Sequence, residues 1–295
     1  MITATNLTKK FDDITALDDT NLNVPAGVIY GLVGSNGAGK TTLIKHLSGV
    51  YRQDAGEISI DNQHVYENNA IKTRVGTIPD NLYFYPQSST YDMAKFYSGI
   101  YPSFDWERYR ELATAFPLDD KRAIRRLSKG MQKQSAFWLA IAARFDVLLL
   151  DEPVDGLDPV MRNTVWKLLL EEVSMRGMTV VISSHNLREL EDVCNHVGIM
   201  HKGKVILERS LSGLQGGTYK LQAAFGNELP DIIPGMEELQ RTRNGSVYNI
   251  IVRGNSADAE KLLAEYSPLF LDVVPLALEE VFIYEMGGEN YGGIF

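Results

Sequence analysis

Gly34-Ser35-Asn36-Gly37-Ala38-Gly39-Lys40-Thr41-Thr42 fits the spacing G-x-x-x-x-G-K-[ST] and lies between an apolar run, Val28 to Val33, and a helix-like run that starts at Lys40. In that setting the glycines permit a tight turn whose backbone N–H groups face a phosphate chain. Gly34, Asn36, Gly37, Ala38, Gly39 and Thr42 are the predicted cradle. Lys40 is expected to reach the terminal phosphates, and the Thr41 hydroxyl can ligate Mg²⁺. The pattern predicts binding of a nucleoside triphosphate.

With 295 residues, 44% of them hydrophobic, the chain is long enough for one large domain plus a small one, or for two comparable ones. The N-terminus lacks the basic-then-apolar pattern of a signal peptide. The longest apolar runs, Phe137 to Ala143 and Leu269 to Leu278, fall short of the ~18 residues of a bilayer span, so a membrane role is expected to pass through a partner or a surface contact. The single cysteine, Cys194, cannot form an internal disulfide and is expected to pack in a core, which suits a reducing compartment. Net charge is −9, and from Leu221 onward twelve acidic residues face four basic ones. No broad basic footprint exists, so nucleic acid is not an expected partner.

Along the chain, Ile2 to Asn6 and Val24 to Val33 read as strands, and Lys40 to Ser48 as a helix stopped by Gly49. Glu57 to Asp61 and His64 onward resemble a hairpin, and Val75 to Ile78 a short strand ended by Pro79. Thr90 to Phe145 reads as mostly helical, broken at Asp119 to Arg122, and too long for an ordinary crossover, hence a helical subdomain at about 88–145. Then come a buried strand, Val147 to Leu150, a helix from about Val160 to Met175, a strand Thr179 to Ser183, a helix Asn186 to Cys194, and strands Val197 to Met200 and Val205 to Leu207. Such alternation predicts an α/β nucleotide core. Gly213 to Gly217 reads as a joint. Beyond it a β-β-α-β-α outline is expected: a hairpin turning at Asn244-Gly245, a helix Ala257 to Tyr266 capped by Ser256, and a final helix Leu276 to Met286, with Gly287 to Gly293 fraying.

Three further stretches carry chemistry. Val147 to Leu150 ends in Asp151-Glu152-Pro153, which puts Asp151 where it can hold the Mg²⁺ touched by Thr41 and leaves Glu152 to polarise the attacking water. Hydrolysis needs the two tasks divided, because a carboxylate neutralised by the metal is a poor base. His185 ends the next strand, on the edge where ligands of parallel sheets collect, and can contact the γ-phosphate and fix Glu152. Leu127-Ser128-Lys129-Gly130-Met131-Gln132 opens a helix and makes a second anion-binding device. One chain already has its phosphate loop, so a dimer is expected in which Ser128 and Gly130 of each chain close over the nucleotide held by the other chain's Lys40.

These motifs, in this order over roughly residues 1 to 213, resemble an ABC ATPase cassette: a P-loop NTPase of α/β class with an inserted helical subdomain. The resemblance implies two cassettes, identical or related, stacked head to tail around two ATP molecules and driving a separate integral membrane permease from the cytoplasmic face. It implies that Phe11 stacks on the adenine, and that Asp155 and Asp158 lie in the loop touching the facing cassette. Lys129 and Met131 depart from the family's usual Gly and Gln, and the Leu-Ser-Lys-Gly-Met form is similar to a subset of bacterial exporter cassettes. Where the family has a Gln after Ile78-Pro79, this chain has Asp80, the positional match for metal contact, with Gln87 farther on. Residues 214–295 resemble the small accessory α/β domain of ABC-2 exporter ATPases, for which a dimerisation or regulatory role is expected. The aromatic-rich stretch Tyr83 to Trp106 suits a permease docking groove, although the same residues also read as subdomain core. A soluble ABC ATPase acting on ribosomes or DNA is the competing reading, disfavoured by the single cassette, the absence of long coiled coils and the acidic tail. A small-molecule kinase leaves Ser128, Glu152 and His185 unexplained.

Overall fold

The computed structural model describes residues 1–210, 218–226, 228–230, 232–274, 276 and 280. They fall into two compact units, one from Met1 to Glu208 and one beginning at Arg209. The proposed joint at Gly213 to Gly217, the fraying segment and all of the final helix except Leu276 and Glu280 lie outside the described residues.

The first unit opens with β1 (Ile2–Phe11), β2 (Ile14–Val24), β3 (Ile29–Val33), α1 (Lys40–Leu47), β4 (Ala55–Ile60), β5 (Gln63–His64), α2 (Asn69–Lys72) and β6 (Val75–Ile78). There follow α3 (Thr90–Ile100), α4 (Trp106–Glu111), α5 (Lys129–Ala142), β7 (Val147–Asp151), α6 (Pro159–Arg176), β8 (Thr179–Ser184), α7 (Arg188–Glu191), β9 (His196–His201) and β10 (Lys204–Ser210). One sheet has the order β2-β1-β4-β5, antiparallel throughout. The other has the order β10-β9-β3-β8-β7-β6, with parallel pairing from β9 through to β6. Every residue of β3, β7 and β8 is buried, which explains why their middles, such as Val147–Leu150 and Val180–Ile182, are unbroken apolar runs instead of alternating ones.

Parallel pairing has a direct consequence for the site. It brings the C-terminal ends of β3, β6, β7 and β8 to one edge of the sheet, and the residues that follow them are Gly34, Pro79-Asp80, Glu152 and His185.

Between β6 and β7 the helical region is more broken than the sequence suggests. Turns at 101–105 and irregular chain from 112 to 128, with short 3₁₀ turns at Leu112–Thr114 and Ile124–Arg126, separate α3, α4 and α5. Trp138 of α5 is buried against Tyr109 and Phe116, with ring centroids 4.9 and 6.2 Å away, so these aromatics form the subdomain core. Arg108, Arg144 and Arg176 converge on Glu172, which is 3% exposed, and tie α4 and the end of α5 to α6. A charge so buried is tolerated because it is multiply paired.

The strand Ile14–Val24 is absent from the sequence reading, because shifts in its pairing with β1 break the two-residue alternation. The helix expected over Asn186 to Cys194 shrinks to α7, and Cys194 is buried with its thiol pushed up by desolvation, in keeping with a packing role.

The second unit contains β11 (Thr218–Ala224), β12 (Glu237–Asn244), β13 (Val247–Arg253), α8 (Ser256–Ala264) and β14 (Phe270–Val274), in the antiparallel order β12-β13-β11-β14. The hairpin turns at Asn244-Gly245 as expected, with Gly245 at φ 65°. Two details differ. β11 has no counterpart in the sequence outline, and α8 is capped by Asn255, whose side chain accepts from Ala257 N, so Ser256 is the first helical residue. Leu221, Ile250, Val252 and Leu263 form this unit's own core.

Candidate active site

The phosphate-loop glycines end at Gly39, whose φ of 107° is open to glycine and whose Cα lies so close to Ala16 O that a Cβ would stand 2.7 Å from it. α1 therefore begins with no side-chain cap, and its first N–H groups are left for a ligand. Lys40 is 6% exposed, and its Nζ donates to Gly34 O at 2.6 Å and Ser35 O at 3.2 Å. Burial lowers its pKa, an effect opposed by Glu152 and Asp151. The cleft over this loop is lined by Asn36 to Thr42, by Asp80 and Glu152, and by Ile14, Thr15 and Ala16.

Glu152 is held on all sides. Its N–H points at Ser183, with O and Oγ both at 3.2 Å, and its carbonyl accepts from Lys133 Nζ at 2.7 Å. Oε1 lies 3.6 Å from Lys40 Nζ, and Oε2 lies 2.9 Å from His185 Nδ1. Its φ of 45° is left-handed, a conformation that costs a non-glycine residue about 1–3 kcal/mol, so these contacts offset real strain. Asp151, one residue back, is buried, and its Oδ1 accepts from Ser183 Oγ at 2.5 Å. A carboxylate set between an ammonium and an imidazole, at the mouth of a phosphate loop, can orient a water for attack on a phosphorus.

The predicted metal set is divided. Thr41 and Asp80 line the cleft, whereas Asp151 is buried and does not line it. All three offer the hard oxygens that Mg²⁺ takes. Ligand atoms of Glu152, Asp155 and His185 lie within 4.8 Å of one another. Gln87 does not line the cleft over the phosphate loop, and Asp80 does.

Other predicted residues are placed apart from this cluster. Phe11 ends β1, half-exposed, in register with the cleft residue Ile14, and its ring meets Tyr51 edge-on at 5.4 Å. Ser128 caps α5, its Oγ accepting from Met131 N at 3.3 Å. At Gly130 a Cβ would stand 2.6 Å from Gly156 O, so glycine is required there by packing within the chain. Asp158 caps α6 by accepting from Val160 N and Met161 N, both at 3.0 Å, ahead of Pro159. The sequence reading missed Ile14, Thr15, Ala16, Ser183 and Lys133. The hydroxyl before Ser184-His185 was the one signal that pointed at Ser183, because the Asp151↔Ser183 register follows from adjacent parallel strands.

The sequence profile described as "ABC transporter" matches residues 17–155. The ABC transporter ATP-binding protein YtrB of Bacillus subtilis (strain 168) is 30% identical over 98% of this chain and 99% of its own length. The bacitracin transport ATP-binding protein BcrA of Bacillus licheniformis is 33% identical over 70% of this chain and 69% of its own. The dimeric bacterial ABC transporter cassette MJ0796 has the same fold, with TM-score 0.65 and 23% identity over 72% of this chain and 99% of that one. With the phosphate loop, the Asp151-Glu152 strand end and His185 drawn to one sheet edge, and with similarity to YtrB running the length of both chains, this chain belongs to the ABC transporter family as an ATP-binding, ATP-hydrolysing subunit.

Proposed function

We propose that two copies of this chain enclose two Mg-ATP molecules, hydrolyse them, and pass the resulting opening and closing to an integral membrane permease bound at the cytoplasmic face. The observation that carries this is the fixing of Glu152 between Lys40 and His185 at the phosphate loop. Lys40 and the Asn36–Thr42 backbone, which line the cleft, would bind the triphosphate, the oxygens of Thr41, Asp151 and Asp80 would hold Mg²⁺, and Phe11 would receive the adenine. Glu152 orients the water, and His185 fixes Glu152 and meets the γ-phosphate. Ser128 and Gly130 close over the partner copy's nucleotide, with Asp158 in the loop that faces the partner. Identical chains suffice, because each carries every one of these residues. The dimeric assembly of MJ0796 supports the pairing, and the transport role in BcrA's name supports transport as the work performed.

Tyr83 and Tyr85 are 80% and 54% exposed in the loop beyond Asp80, which favours that loop as the permease contact. Among the described residues no helix is long and apolar enough to cross a membrane. The unit beyond the joint, residues 214–295, serves dimerisation or regulation in this reading, supported by a core of its own that excludes every site residue. The test is affinity purification of the tagged chain from detergent-solubilised native membranes, assayed for ATPase activity. A co-purifying multi-span protein that alters the rate is expected, and recovery of none would contradict the proposal.

A further inference from the structure

Lys133 has no part in the mechanism above. It lies on α5 one turn beyond Gly130, so the two share a helix face. That face rests on the segment after β7 at two points: Gly130 against Gly156 O, and Lys133 Nζ on Glu152 O at 2.7 Å. Lys133 is 6% exposed, and an ammonium so buried is costly unless it is well paired. Burial pulls its pKa down while Asp155, Asp80, Glu152 and Asp151 push it up, so the cation stands among four carboxylates. The carbonyl it grips belongs to the residue whose φ is 45°, one whose backbone needs holding.

We propose that Lys133 is a positioning residue for hydrolysis, fixing the backbone of Glu152 and so the aim of its carboxylate from the same helix that Ser128 begins. The proposal rests on the reading of Glu152 as the residue that orients the water. Each α5 then serves two sites at once. Its Ser128 closes the partner copy's nucleotide, and its Lys133 sets Glu152 in its own chain, so closure across the dimer is felt directly at the water-orienting residue.

The test uses the full-length chain. Lys133→Met keeps the side-chain length and removes the donor, and it is expected to lower kcat on the order of 100-fold, the effect of a small misplacement, while KM for ATP changes less than about twofold. Lys133→Arg, which restores a charged donor, is expected to recover most of the loss. An unchanged kcat in K133M, a KM rise at constant kcat, or failure of K133R to recover overturns the proposal. Should K133M unfold below the assay temperature, K133Q is read in the same way. Mixed dimers then locate the effect. K133M paired with E152Q is expected to be silent, because the one live Glu152 sits in the K133M chain. The double variant K133M/E152Q paired with the unmodified chain is expected to match the dimer of E152Q with the unmodified chain, and the reverse pattern overturns the proposal. Full turnover in E152Q alone would remove the underlying reading instead, whereas an inactive E152Q beside a normal K133M removes only the role of Lys133.

Discussion

α1 and α5 both begin at a turn suited to anions, and they are finished in opposite ways. α1 follows a left-handed glycine with no side-chain cap, and its opening N–H groups face a cleft that also holds Lys40 and Glu152. α5 is capped by its own Ser128, and its first turn is pinned to the Gly156 carbonyl. The carboxylate and imidazole proposed for hydrolysis, Glu152 and His185, stand beside Lys40 of α1 and not at the start of α5. The difference teaches that Ser128 is a complement without its own chemistry, which is the part the proposed pairing assigns to it.

Removing the chemistry at α1 has the largest expected effect. E152Q keeps the shape and loses the basic carboxylate, so kcat is expected to fall about 10²–10⁴-fold in a steady-state phosphate-release assay, with ATP affinity retained. Lys40→Ala acts on binding instead. Loss of a charge-assisted contact of about 1.5–3 kcal/mol predicts ATP affinity weaker by about one to two orders of magnitude in a fluorescent-nucleotide titration. At α5 the effects divide. Ser128→Ala is expected to remove about 1 kcal/mol of helix capping, read as a lower melting temperature, and to leave ATP binding to the monomer intact. In mixed dimers its loss of turnover is expected at the site holding the other chain's Lys40. If that loss falls on the chain's own site, the two helix starts are equivalent and the comparison fails. Gly130→Ala carries the smallest effect on ATP binding to the monomer and a structural cost: overpacking against Gly156 O is expected to cost about 1–3 kcal/mol in chemical denaturation.

Much of the α1 region was legible in the sequence because its parts are local. The glycines, Lys40 and Thr41 fall within one short stretch, and β3, β7 and β8 are short strands with apolar middles whose parallel order carries Glu152 and His185 to one edge. What escaped was set by packing. Ile14 to Ala16 line the cleft from a strand whose shifted register hides its alternation, and Lys133 reads as an ordinary polar helix position until α5 is laid on the Glu152 segment. Gly130 looked like a residue for phosphate approach, and within the chain it is also required by the neighbouring carbonyl. In the second unit the Asn244-Gly245 turn announced its hairpin, while β11 pairs with β13 and β14, neither of them the next strand in the chain, and is defined only by that pairing.

The pairing of α1 with a second copy's α5 is tested most directly by sedimentation of E152Q with and without saturating Mg-ATP. A dimer that forms with Mg-ATP, and is lost when Ser128→Ala is added to both chains, is the predicted result. E152Q that remains monomeric with its nucleotide fully bound would contradict it.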